Sequence, residues 1–352
     1  MNRRIFIKTT LGSALSAASR PLLFASSESN TLQAAGATRH IPVGSAVRNA
    51  GLHDPVLATI LAEQCNIVVP QNEMKWIHVH PEQNRYDFGP ADELMAFAAK
   101  NSVLVRGHNL CWHAAQPEWL AKVATRENAA GLLEEHIRTV AGRYAGRIHS
   151  WDVVNEAIEP GDKRPDGLRR SSWLDLLGPS YIETAYRTAA ETDPKALLTY
   201  NDYGLEDDSN EAEQRRAVAI TLLRWMRKNQ IPLHALGLQS HLALDSDVFP
   251  QWSGLHGLLK EAANLDLQVF VTELDVDDGS FHESSQKREK LVAALCKDYL
   301  KNVLKHKNVT AILTWGLVTQ TSTDGEHFNC PLDEHLQPTP FLTAMLDALR
   351  KR

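Results

Sequence analysis

Four scarcities narrow what this 352-residue chain can be. Cysteine occurs only as Cys65, Cys111, Cys296 and Cys330, far apart and with no C-x-x-C spacing, which argues against a structural zinc site. Most of the four read as plain buried thiols. Basic charge is also short: 37 Lys and Arg against 43 Asp and Glu leave a net charge of −6, so there is no cationic surface of the kind that nucleic acid phosphates demand. No G-x-G-x-x-G follows an early strand, and a doubly wound nucleotide-binding sheet would be expected to carry one. Beyond the first thirty residues no apolar run approaches the length of a bilayer span, so no stable membrane anchor is expected.

The N-terminus has its own pattern. Asn2-Arg3-Arg4-Ile5-Phe6-Ile7-Lys8 has the form of a twin-arginine export signal, and a weakly apolar stretch over 9–25 follows it, interrupted by Arg20 and Pro21. Residues 1–36 are therefore expected to be a signal peptide and disordered leader, cut between Ala25 and Ala37, with the twin-arginine machinery as a partner. The mature chain is expected to be periplasmic or extracellular. Residues 37–352 read as one domain, long enough to bury a large core.

Within that domain, apolar runs bounded by turn residues predict strands at 41–47, 67–71, 103–108, 148–155, 196–201, 235–239, 268–272 and 310–315. Helical periodicity predicts helices at 54–65, 91–100, 129–144, 180–192, 210–229, 255–264, 285–304 and 339–350. Eight strands alternating with eight helices make a (β/α)₈ TIM barrel the simplest architecture, with an open doubly wound sheet as the alternative.

Two predicted strands run into glutamates: Trp151-Asp152-Val153-Val154-Asn155-Glu156 and Phe270-Val271-Thr272-Glu273-Leu274-Asp275. In a barrel of parallel strands all such ends open onto the face where chemistry occurs, and two carboxylates there can cut a glycosidic bond. The other strand ends add amides, a lysine, histidines and aromatic rings: Asn72 and Lys75, His108 and Trp112, Tyr203, Gln239 and His241, and Trp315. Sugars offer hydroxyls and flat C–H faces, which this inventory suits. The spacing of His108, His241 and Asp275 matches no common metal-ligand pattern, and neither metal nor cofactor is expected. The polar loop 161–170, directly after Glu156, is expected to form part of the rim.

From about Ile41 onward the chain resembles glycoside hydrolase family 10, the endo-1,4-β-xylanases. The resemblance rests on N-E-M-K-W, R-G-H-N-L-C-W-H, W-D-V-V-N-E-A, Y-N-D-Y, Q-S-H-L and T-E-L-D in family order. It implies a retaining hydrolase of β-1,4-xylan in which Glu156 is the acid/base and Glu273 the nucleophile. It further implies that His241 and Asp275 orient and tune Glu273, that Asn155 contacts the sugar 2-hydroxyl, and that Asn72, Lys75, His108, Trp112, Gln239 and Trp315 line the glycone subsites. Three positions depart from the family pattern: Gln71 replaces a glutamate that grips the second glycone sugar, Ala115 stands where a glutamine is usual with Gln116 beside it, and no tryptophan occurs near Thr323. Two alternatives stay open, the same chemistry on another β-linked glycan or glycoside, and a weakly active or non-catalytic oligosaccharide-binding relative.

Overall fold

The computed structural model describes residues 30–279, 281–321 and 327–350. Its centre is a closed barrel of eight parallel strands: β1 (Val43–Val47), β2 (Ile67–Pro70), β3 (Leu104–Trp112), β4 (Ser150–Asn155), β5 (Leu197–Asp202), β6 (Ala235–Leu238), β7 (Gln268–Asp277) and β8 (Val309–Thr314). Each pairs with its successor, and β8 closes on β1 with Val43 opposite Ile312. The expected barrel is therefore the observed one.

Each strand is followed by one of the eight predicted helices, within one to two residues of the predicted ends. Their sequences explain where they start. Asp54 accepts hydrogen bonds from the N–H groups of Val56 and Leu57 and is followed by Pro55, which opens Pro55–Gln64. Ser209 caps Asn210–Lys228 at the N–H of Ala212, with Glu211 and Glu213 in the first turn and Arg227 and Lys228 in the last, each where the helix dipole favours it. Helix Ser180–Thr192 buries Tyr181, Ile182, Ala185, Tyr186, Thr188 and Ala189, a single face at helical spacing. Such faces pack on the outside of the barrel and make the larger core.

A smaller cluster fills the barrel axis: Ala46, Ile67, Val69, Ala235, Phe270, Ala311 and Leu313. Next to it Arg106 lies 5.5 Å over the Phe270 ring and pairs with Asp152, both fully enclosed. Asp152 in turn receives His108 Nδ1 at 2.9 Å. The interior ion pair thus fixes the first group of the strand-end cluster from below.

Three differences from the sequence reading concern ends. β3 runs beyond residue 108 to Trp112, because it keeps pairing with β4 as far as Asn155, across a register shift between His108 and Cys111. β7 runs beyond residue 272 to Asp277, because the short strand His241–Ala243 adds to it with His241 opposite Asp275. At the other end of the chain, helix Leu32–Ala37 starts inside the stretch 1–36 expected to be leader. Thr31 caps it, Leu32 is fully buried, and the Leu32 N–H donates to Gln64 Oε1 at 3.0 Å. The packed body therefore begins before residue 37; six residues are too few for periodicity to reveal this. The twin-arginine motif lies outside the described residues. All four cysteines are buried, free thiols, and among the described residues no helix is long and apolar enough to cross a membrane.

Candidate active site

Glu156 is the first residue past β4, and its backbone is left-handed, with φ of +56°. For a residue with a side chain this costs roughly 1–3 kcal/mol, so the surroundings must hold it. They hold both ends of the residue. Its N–H donates to Asn201 O at 2.9 Å, and its carbonyl accepts from Arg169 Nε at 2.8 Å. The turn throws the carboxylate to the barrel mouth, where Oε1 accepts from Asn155 Nδ2 (3.1 Å) and Gln239 Nε2 (2.9 Å) and Oε2 accepts from Trp112 Nε1 (2.8 Å). The side chain is 13% exposed, with His113 Nδ1 3.9 Å from Oε2.

Glu273 sits within β7 and is 4% exposed. Its Oε1 accepts from Asn201 Nδ2 at 2.7 Å, and its Oε2 lies 3.4 Å from His241 Nε2. His241 is anchored from behind by Asp275, Nδ1 to Oδ1 at 2.8 Å. Burial alone would raise the Glu273 carboxyl, but the hydrogen bond from His241, the electrostatic influence of His108 and His241 and the Asn201 amide outweigh it and hold the group below the usual glutamate range. Burial likewise works against charge on His241, yet Asp275 and Glu273 push it well above the ordinary histidine range. Glu273 is thereby kept as an anion facing a cation.

The two carboxylates are wired together through amides. Asn201 Nδ2 donates both to Glu273 and to Asn155 Oδ1 (2.9 Å), and Asn155 reaches Glu156. Thr272 Oγ1 donates to Asn201 Oδ1 at 2.7 Å, which fixes the amide orientation of this bridge.

Most of the remaining expected residues are linked to one another around Lys75 and Trp315. Lys75 Nζ donates to Asn72 Oδ1 at 3.2 Å and lies 5.2 Å from the Trp112 ring and 5.8 Å from the Trp315 ring. Burial lowers its ammonium pKa, against the pull of Glu273, Glu156 and Glu73. Trp315 meets His108 and His241 edge-on, at 5.3 and 6.3 Å between ring centres. Tyr203 is brought to the rim, but its hydroxyl is already engaged: it accepts from Arg169 Nη2 at 2.7 Å and Arg215 Nη2 at 3.3 Å, and lies 3.3 Å from Glu159.

Four residues at the site were not singled out from the sequence. Asn201 lies within the Y-N-D-Y strand end and could have been found there, since every neighbour of a strand-end carboxylate is a candidate. Arg169 lies in the loop already expected to be rim, but nothing local reveals that it reaches the Glu156 carbonyl. Glu206 and Ser240 act together behind His241: Ser240 has φ of +62°, its N–H donates to the buried Glu206 carboxylate at 2.8 Å, and its hydroxyl meets that of Tyr299 at 2.6 Å. Contacts of such sequence separation carry no local signature.

Of the departures, Gln71 is buried and its Oε1 accepts from Arg48 Nε at 2.8 Å. Gln116 is engaged at both ends of its amide, by Trp112 O (2.8 Å) and Ser172 Oγ (3.0 Å). Thr323 lies outside the described residues.

The family model described as glycosyl hydrolase family 10 matches residues 31–348. A β-1,4-xylanase from Dictyoglomus thermophilum is 36% identical over 286 residues, covering 79% of this chain and 78% of that protein. The endo-1,4-β-xylanase B of Paenibacillus barcinonensis is 34% identical over 290 residues, covering 76% of this chain and 82% of that one. Among solved structures, xylanase 10B from Thermotoga maritima superposes with a TM-score of 0.83 at 30% identity over 91% of this chain and 98% of that chain. Xylanase 10B from Thermotoga petrophila, solved with xylobiose, gives 0.82 at 30% identity over 91% and 97%. A glutamate just past β4, another within β7, a shared bridge of amides between them and a family match over nearly the whole barrel agree: the chain belongs to glycosyl hydrolase family 10.

Proposed function

We infer that the protein is an endo-acting hydrolase of β-1,4-xylan that works with retention of configuration. The observation that carries the reading is the unequal preparation of the two carboxylates. Glu273 is buried and kept anionic by His241, as a nucleophile needs, whereas Glu156 stands at the mouth where a leaving oxygen and then a water can reach it. In this reading Glu273 attacks the anomeric carbon while Glu156 gives its proton to the departing glycosidic oxygen; a glycosyl ester on Glu273 results. Glu156 next takes a proton from water, which attacks the same carbon and frees Glu273. Asn155 lies between the reacting groups, with one amide hydrogen on Glu156 and the other for the sugar beside it, while Asn201 spends both of its own on Glu273 and Asn155 and so holds them in place. The xylan assignment draws on the xylanases to which the chain is similar.

Rapid NMR of the first product tests the stereochemistry, with β-anomer expected and initial α-anomer refuting it. Two variants test the roles. Glu273→Gln is expected to abolish turnover of every substrate, while Glu156→Ala is expected to retain glycosylation by aryl glycosides with good leaving groups, to lose polymer cleavage and to be rescued by azide. Equal loss on both substrate classes without rescue would remove Glu156 from the acid's role.

Export by the twin-arginine route is a further proposal, supported by Arg3-Arg4 and the apolar stretch after them. Changing both arginines to lysine should leave the protein in the cytoplasm, because the guanidinium pair differs from ammonium in geometry as well as hydration. Normal export of that variant would refute it.

A further inference from the structure

Gln71 and Gly316, the chain neighbours of Asn72 and Trp315, line a cleft of about 230 Å³ at the same strand ends. Its floor is apolar, from Ala46, Val47, Leu57 and Leu61; Gln71, Gln320 and Arg48 supply its polar groups. The space falls below the ~300–1,000 Å³ of pockets that take drug-sized ligands, so it suits a single appended unit.

The charge balance of this cleft is unusual. Arg48 is exposed and is held by two neutral amides, Nε to Gln71 Oε1 at 2.8 Å and Nη2 to Gln320 Oε1 at 3.3 Å. Among the described residues no carboxylate comes within ion-pair distance of it. The nearby acid, Glu73, is turned away: its oxygens accept the N–H groups of Asn49 (2.6 Å) and Asn72 (3.0 Å). Arg48 is also close enough to add to the effect of burial in lowering Lys75. This side of the groove therefore carries two cations, one of them with its guanidinium edge fixed by amides and, among the described residues, no carboxylate paired with it. A guanidinium presents a rigid fork of donors that matches a carboxylate and gives charge-assisted hydrogen bonds.

We propose that the Arg48 cleft binds the carboxylate of a uronic acid side group on the glycan, so that the protein prefers an acidic, decorated chain on this side of the cut. Gln71 is what leaves the guanidinium available. A glutamate in its place would stand within bonding distance of Arg48 and neutralise it. The proposal rests on the glycan-hydrolase reading above and specifies which substrate that groove selects.

The test compares two xylooligosaccharides of equal size, one carrying a glucuronic acid group and one its carboxyl-reduced glucosyl counterpart, with the undecorated oligosaccharide as a third arm. Binding is read by calorimetry on the Glu273→Gln protein and turnover on the wild type. The uronate is expected to win by roughly tenfold, the ratio that about 1.4 kcal/mol corresponds to, with the preference shrinking in salt. It should end on the fragment that carries the new reducing end if this side of the groove holds the glycone. Arg48→Gln and, separately, Gln71→Glu should each bring the ratio towards one. Equal binding of the two decorated sugars by the unsubstituted cleft, or a preference that survives both substitutions, overturns the proposal. Turnover of the undecorated arm without any uronate preference would overturn it while leaving the hydrolase reading intact; no turnover of any arm, with the binding preference present, would overturn the hydrolase reading instead.

Discussion

At the residue scale, His241 decides how Glu273 behaves. Burial opposes a charge on Glu273, and the His241 hydrogen bond leads the groups that reverse it. Replacing His241 by glutamine leaves burial less opposed, so the Glu273 carboxyl should titrate at higher pH. Glu273 must be ionised to attack, and the acid limb of kcat/KM should accordingly move upward, with activity lost first on the acid side and less affected at alkaline pH. A pH–rate profile of His241→Gln measures this; an acid limb that stays in place would mean His241 only supports the fold. Asp275→Asn should move the limb in the same direction, because it removes the anion that keeps His241 charged.

At the scale of elements, the turn after β4 and the loop behind it act as one piece. Glu156 keeps its left-handed backbone because β5 takes its N–H through Asn201 O and the loop takes its carbonyl through Arg169. Arg169 also donates to Ile158 O at 3.3 Å and to Tyr203. Arg169→Ala should let the carboxylate drift, and a displacement of about 1 Å can cost on the order of 10²-fold in rate. The loss should be larger on unactivated xylooligosaccharides, which need the proton of Glu156, than on aryl glycosides with good leaving groups. Equal losses on both, accompanied by a lower melting temperature, would assign Arg169 to the fold alone. This pairing also shows what the sequence made legible. Both glutamates and the strands that carry them stood out, since a carboxylate ending an apolar run is a local signal. The partners that hold them did not: Arg169 lies thirteen positions from Glu156 in the chain and Glu206 thirty-four from Ser240, and only the closed barrel brings them together. The same reason explains Gln71, whose loss of charge was visible while its partner Arg48 was not.

For the whole molecule, the barrel is fastened at its base by its own two ends. Helix Leu32–Ala37 buries Leu32 and Ala35, and Arg39, just beyond it, donates to the carbonyl of Leu349 at 2.6 Å and to that of Ala348 at 3.2 Å. Leu32→Ala should cost about 2–5 kcal/mol, the range for emptying a packed leucine site, and should lower the melting temperature while kcat at moderate temperature stays unchanged, since the site is built at the opposite ends of the strands. A thermal melt beside an activity assay checks both. An unchanged melt would mean the helix is not part of the cooperative unit. This clasp also fixes where the molecule can be handled. The last helix, Pro340–Leu349, returns from the mouth to the base, where Leu349 meets Arg39, so a tether or a binding module joined at that base points away from the groove. Coupled to a solid support through this base, the enzyme should present its cleft outward, and a long polymer should reach it as freely as a short oligosaccharide does.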